Sequence, residues 1–122
     1  MPCALVVDDE VDIAEIFALL LQQAGYEVTI AHSAKDALEI ARAKDFDLLL
    51  SDIGMPGMNG YELCAAIRAI PKYQKIPIIA VTGFAMYDDR TRSLNAGFNY
   101  HCVKPVVMHR FIELITKLRG DK

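Results

Sequence analysis

Five short apolar runs, at 4–7, 28–31, 46–50, 78–81 and 100–103, constrain this chain more than any other feature. Each is largely apolar, interrupted only by Thr29, Asp47 and His101, and none alternates strictly with polar residues. Strands of that kind are covered on both faces, as in a parallel sheet. Helical spacing fills the intervals between them. Ile13, Ile16, Phe17, Leu20 and Ala24 form one inner stripe, which Gly25 ends as a helix stop. Ala34, Ala37, Leu38 and Ala41 form a second, opened by Ser33 and Asp36 in a capping-box pattern with a shortened acid. Asn59 can cap a third helix that turns Leu63, Cys64 and Ile67 inward. The interval 88–96 is a weaker helix, with Leu94 and Ala96 almost its only apolar side chains, and Gly97 ends it. Phe111, Leu114, Ile115 and Leu118 mark a last helix. Strict alternation of strand and helix predicts a doubly wound α/β fold, a five-stranded parallel sheet with five helices and right-handed crossovers.

The 122 residues, 53% hydrophobic and 24% charged, suit one globular domain over 1–122, with no linker, repeat or low-complexity tract. No apolar run is long enough to span a membrane, and no basic segment followed by an apolar stretch marks a secretory signal. Cys3, Cys64 and Cys102 are odd in number and widely spaced, so they form neither a disulfide framework nor a metal motif. A cytoplasmic chain without membrane contact is the expectation. The net charge of −3 and the lack of a basic stripe argue against direct binding of nucleic acid.

Ligands of open α/β sheets bind beyond the carboxyl ends of the strands. Asp8 and Asp9 follow the first run, Asp52 the third, Thr82 the fourth and Lys104 the fifth. If the first and third strands are neighbours, three carboxylates converge. They repel one another, so protons or a cation must be shared among them. An all-oxygen set without histidine or cysteine suits Mg²⁺, which tends to share its shell with phosphoryl oxygens. Lys104 adds a positive charge and Thr82 a hydroxyl, completing a pocket for a small dianion beside a carboxylate. Asp52, on a rigid strand, can then act as a nucleophile toward phosphorus, while Gly54 and Pro56 shape a loop whose backbone can approach the ion. Each residue alone has a plainer reading: Asp9 or Glu10 can cap a helix, Thr82 a turn, and Lys104 can be a surface lysine. Four strand ends with matching chemistry argue for a site.

The stretches VVDDE (6–10), DIGMPGMNGYEL (52–63), IIAVTG (78–83) and KP (104–105) resemble the receiver domain of two-component response regulators, and the resemblance covers essentially the whole chain. It implies a flavodoxin-like sheet in the order 2-1-3-4-5. It implies Asp52 as phosphoacceptor, Mg²⁺ held by Asp9, by Asp8 largely through water, and by the Gly54 carbonyl, and Thr82 and Lys104 on the phosphoryl group. It also implies a cis Lys104–Pro105 bond. The partner it implies is a histidine kinase or histidine phosphotransfer protein, followed by an unspecified downstream protein. Receivers place a switch aromatic three residues before the lysine. Here that position is His101, with Tyr100 beside it and expected on the other face by strand alternation. Ionisation of His101 would make such a switch pH-sensitive; a solvent-facing edge histidine is the plainer alternative. Val106, Val107 and Met108 replace the polar cap expected before the last helix.

GFNYHCVKPV is similar to receivers attached to hybrid sensor kinases, whereas Met1 just before the first strand suits a stand-alone regulator. On either reading the chain is a signalling module that catalyses only its own phosphorylation and slow dephosphorylation. The interval 88–96, the fifth strand and the last helix are the expected partner-binding face. An aspartate-nucleophile phosphatase is the alternative, but that chemistry wants a second acid two residues after the nucleophile, where Gly54 stands. Flavin binding ranks last, because Asp8, Asp9 and Glu10 would repel a phosphate that lacked a cation.

Overall fold

The computed structural model describes residues 2–55, 57–82, 97–103 and 108–118, the side chains of Thr82 and Val103 excepted. Within them, β1 (Cys3–Val7), β2 (Glu27–Ala31), β3 (Leu48–Asp52), β4 (Ile78–Thr82) and β5 (Tyr100–Val103) alternate with α1 (Val11–Gln23), α2 (Ala34–Ala43), α3 (Gly60–Arg68) and α4 (Met108–Leu118). The expected helix at 88–96 lies outside the described residues, so four of the five expected helices are described. The strands form one parallel sheet in the order β2-β1-β3-β4-β5.

Successive strand residues feed opposite faces. Leu5, Val7, Leu49, Ile78 and Ala80 meet Ala37 and Ala41 of α2 and Leu63, Cys64 and Ile67 of α3. Ala4, Val6, Leu50, Ile79 and Val81 meet Ala14, Phe17 and Leu21 of α1 and Phe111 and Ile115 of α4. The Phe17 and Phe111 rings lie 5.2 Å apart and tilted by 57°, which fastens the two helices of that face together. Each large side chain fully buried here contributes about 1.5–3 kcal/mol.

Two sequence expectations shift. Ile16 was expected in the inner stripe of α1 but is 53% exposed; the buried stripe is Ala14, Phe17, Ala18 and Leu21, the i, i+3, i+4, i+7 pattern of one helical face. The third strand, expected at 46–50, runs two residues later. Phe46 is buried but precedes the ladder, which begins at the Ala4–Leu48 pair and continues through Val7–Ser51 on one side and Asp52–Val81 on the other. Apolarity reports burial, whereas the strand ends where pairing ends, and pairing carries through Ser51 and Asp52.

Helix ends follow local chemistry. Ser33 Oγ accepts the Asp36 N–H at 3.1 Å, one half of a capping box. The reciprocal box stands at α3: Asn59 Oδ1 accepts from Glu62 N at 2.9 Å and Glu62 Oε1 from Asn59 N at 3.0 Å. Gly25, with φ 98°, ends α1 as expected. At the far end of α3, Arg68 donates from Nη1 to the carbonyls of Tyr73 (2.8 Å) and Ile76 (2.7 Å). Its Nη2 donates to the Gly97 carbonyl (2.8 Å) and Asn99 Oδ1 (2.7 Å). Asn99 Oδ1 also accepts the Ile78 N–H at 2.8 Å, so one guanidinium ties α3 to the entrances of β4 and β5. Cys3, Cys64 and Cys102 are not joined in disulfides, and no described helix is long and apolar enough to cross a membrane.

A candidate acidic site at the carboxyl ends of the strands

The register assembles the site. β1 and β3 are neighbours, and one step beyond the Val7–Ser51 pair stand Asp8 and Asp52. Asp8 is 2% exposed and Asp52 6%, whereas Asp9, next in the loop, is exposed. Carboxylate oxygens of Asp8, Asp9 and Asp52 all lie within 4.8 Å of one another. An octahedral shell at Mg²⁺ distances spans about 4 Å across, so these donors need only a small contraction to surround one hard cation. The three carboxylates expected to converge do so.

Local bonds set their directions. The Asp8 N–H donates to the Ala31 carbonyl at 3.1 Å, and Asp8 Oδ1 accepts the Glu10 N–H at 2.9 Å. Glu10 occupies the N-cap position of α1 without a side-chain capping bond. On β3, the buried Ser51 hydroxyl donates to the Asp52 carbonyl at 2.9 Å. The chain then turns: the Ile53 N–H donates to the Val81 carbonyl (3.0 Å), while the Ile53 carbonyl accepts from Met55 N (3.1 Å) and Gly60 N (2.9 Å).

Gly54 lies exposed in this turn, and a Cβ there would meet nothing within 4 Å. The glycine requirement falls later, at Gly57 with φ 76° and at Gly60. A Cβ on Gly60 would collide with the Asp52 carbonyl oxygen and stand 2.7 Å from Ile53 Cα. The helix start of α3 thus presses directly on the backbone that bears Asp52. The individual requirement at Gly60 escaped sequence reasoning; an Asn-Gly pair at a helix start was its only signal.

The other predicted residues are placed in part. Thr82 closes β4 opposite Val103, one step past the Asp52–Val81 pair; its hydroxyl is not described. Lys104, the Lys104–Pro105 bond and Pro56 lie outside the described residues. His101 pairs with Ala80 and is half-buried. Its neighbours Tyr100 and Cys102 pack against the α1–α4 face, as strand alternation predicts for Tyr100. Burial on that face raises the Cys102 thiol pKa above its ordinary value.

Comparisons with known proteins agree with this arrangement. The response regulator receiver domain family matches residues 4–116. The polar-differentiation response regulator DivK of Brucella ovis is 36% identical over 117 residues, covering 96% of this chain and 94% of that protein. The chemotaxis protein CheY4 of Vibrio cholerae superposes with a TM-score of 0.91 at 30% identity, over 97% of this chain and 98% of that one. The receiver domain of a Pseudomonas aeruginosa sensor histidine kinase, with a magnesium ion coordinated in its active site cleft, superposes with a TM-score of 0.87 at 28% identity, over 98% of each chain. None of these supports the phosphatase alternative. With the family matching nearly the whole chain and the sheet order and acidic rim in place, the chain belongs to the response regulator receiver domain family, the phosphoacceptor modules of two-component signalling.

Proposed function

We propose that Asp52 is the phosphoacceptor of this receiver. A carboxylate oxygen of Asp52 attacks the phosphorus of a phosphohistidine on a histidine kinase or phosphotransfer protein. The P–N bond breaks, the imidazole leaves with its electron pair and takes up a proton, and Asp52 carries an acyl phosphate. Asp8, Asp9, Asp52 and the Gly54 carbonyl would hold Mg²⁺. When bound, that ion neutralises phosphoryl oxygens that three carboxylates would otherwise repel. The Lys104 ammonium and Thr82 hydroxyl take the remaining phosphoryl oxygens. Water later attacks the phosphorus and releases inorganic phosphate, so the chain acts as a self-modifying switch in the cytoplasm, as a single module, and not as a turnover enzyme.

The observation that carries this reading is the convergence of three carboxylates within 4.8 Å, two of them buried. Buried like charges are costly, and a chain keeps them at a strand end when a cation and an anion are to meet there. Incubation with Mg²⁺ and a small phosphodonor, followed by intact mass, should add one phosphoryl group, abolished by chelation and by Asp52→Asn. An unchanged gain of mass in Asp52→Asn would refute the assignment.

Phosphorylation adds about −1.5 to −2 charge at Asp52. Thr82 is drawn toward it, His101 takes the space vacated, and the surface of 88–96, β5 and α4 changes for a downstream partner. Amide shifts on adding a beryllofluoride phosphoryl mimic should concentrate on β5 and α4; shifts confined to α1 and α2 would oppose this route.

A further inference from the structure

We propose that His32 is a positioning residue for the acidic pocket, its Nδ1–H holding the carbonyl of Asp8 and through it the loop that bears Asp8 and Asp9. The inference rests on the reading of Asp8 and Asp9 as cation ligands. His32 Nδ1 lies 3.1 Å from the Asp8 carbonyl oxygen. A carbonyl can only accept, so Nδ1 carries the proton. His32 follows β2 directly, and β2 pairs Ala31 with Val7, which brings the ring beside the first residue past β1. On its other side, Ser33 caps α2, so both flanks of the histidine are anchored.

Asp8 is thereby gripped at three points from two directions. Its N–H donates to Ala31 and its carbonyl accepts from His32, both on the β2 side. Its Oδ1 accepts from Glu10 on the α1 side. The peptide plane whose carbonyl the ring holds is the one that joins Asp8 to Asp9. Its orientation sets where both carboxylates point. Three like charges push this loop away from Asp52, and a hydrogen bond to the joining peptide resists that push before any cation arrives. The ring itself is exposed and belongs to neither core cluster, so its contribution is orientation of the loop and not packing. Groups that orient ligands from behind them alter metal affinity without touching the metal.

Two measurements test this. Long-range ¹H–¹⁵N spectra of the wild-type chain at about pH 8.5 should show His32 protonated on Nδ1, with or without Mg²⁺; an Nε2–H ring would overturn the proposal without any substitution. Mg²⁺ titration followed by backbone amide shifts should give about a tenfold weaker dissociation constant for His32→Leu, which removes the donor. In His32→Asn, whose side-chain amide can replace Nδ1–H, affinity should return to within about twofold of wild type. Equal Mg²⁺ affinity in wild type and His32→Leu would overturn the role of His32 alone. Wild-type protein that takes up no Mg²⁺ would overturn both this role and the reading on which it rests.

Discussion

The backbone that bears Asp52 is shaped by residues outside the acidic cluster. Gly60 is the sharpest case. A methyl group there meets the Asp52 carbonyl and Ile53 Cα, both backbone atoms that cannot swing aside. Gly60→Ala should therefore cost about 2–3 kcal/mol in urea denaturation and slow phosphorylation as the Asp52 turn shifts; unchanged stability would mean that the helix start relaxes freely. Cys64 gives a pH signature from the core. Burial pushes its thiol up to about 11, with Arg68 partly opposing. The folded chain thus keeps this proton at pH values where the unfolded chain, with its ordinary value of 9.0, loses it. Stability from the protonated thiol is complete below pH 9 and disappears as pH rises through about 11, a loss of roughly 2–3 kcal/mol. Urea midpoints measured from about pH 8 to about pH 11 should fall more steeply in wild type than in Cys64→Ala.

Among the elements, α3 links the two ends of the sheet. Its N-terminus, boxed by Asn59 and Glu62, presses on the Asp52 strand end. Its last residue, Arg68, holds the entrances of β4 and β5 through Tyr73, Ile76, Gly97 and Asn99. A lysine has neither the planar fork nor the donors to reach four acceptors at once. Arg68→Lys should lower stability by about 2–4 kcal/mol despite keeping the charge, read from urea midpoints; a loss below measurement would show the carbonyls equally well solvated without it. Elements were also where reading the sequence succeeded most. The largely apolar runs located all five strands because helices covering both faces leave few polar positions, with Thr29 on the half-buried β2 and His101 on β5 among them. The reading slipped at Phe46 and at Asp52, where hydropathy and pairing part company. It slipped again at Ile16, since a helix rich in apolar residues can point one outward without betraying which.

At the scale of the molecule, a parallel sheet with β3 at its centre gathers the ends of distant segments onto one rim. Asp8, Asp9 and Asp52 were legible as a site because each is a charge placed where a buried strand stops. His32 and Gly60 were not, since their importance depends on a register and a close approach that appear only once the chain is folded. His101 sits on β5, separated from the Asp52 strand by β4, between Tyr100 and Cys102, which are turned to the opposite face. The central claim is chemical: the phosphoryl group is carried on the Asp52 carboxylate. Borohydride reduces an acyl phosphate to an alcohol, so treating the phosphorylated chain and mapping its peptides by mass marks the acceptor directly. Reduction confined to position 52 is the predicted result. A borohydride-resistant phosphate on the neighbouring Ser51, or reduction at Asp8 or Asp9, would contradict the account.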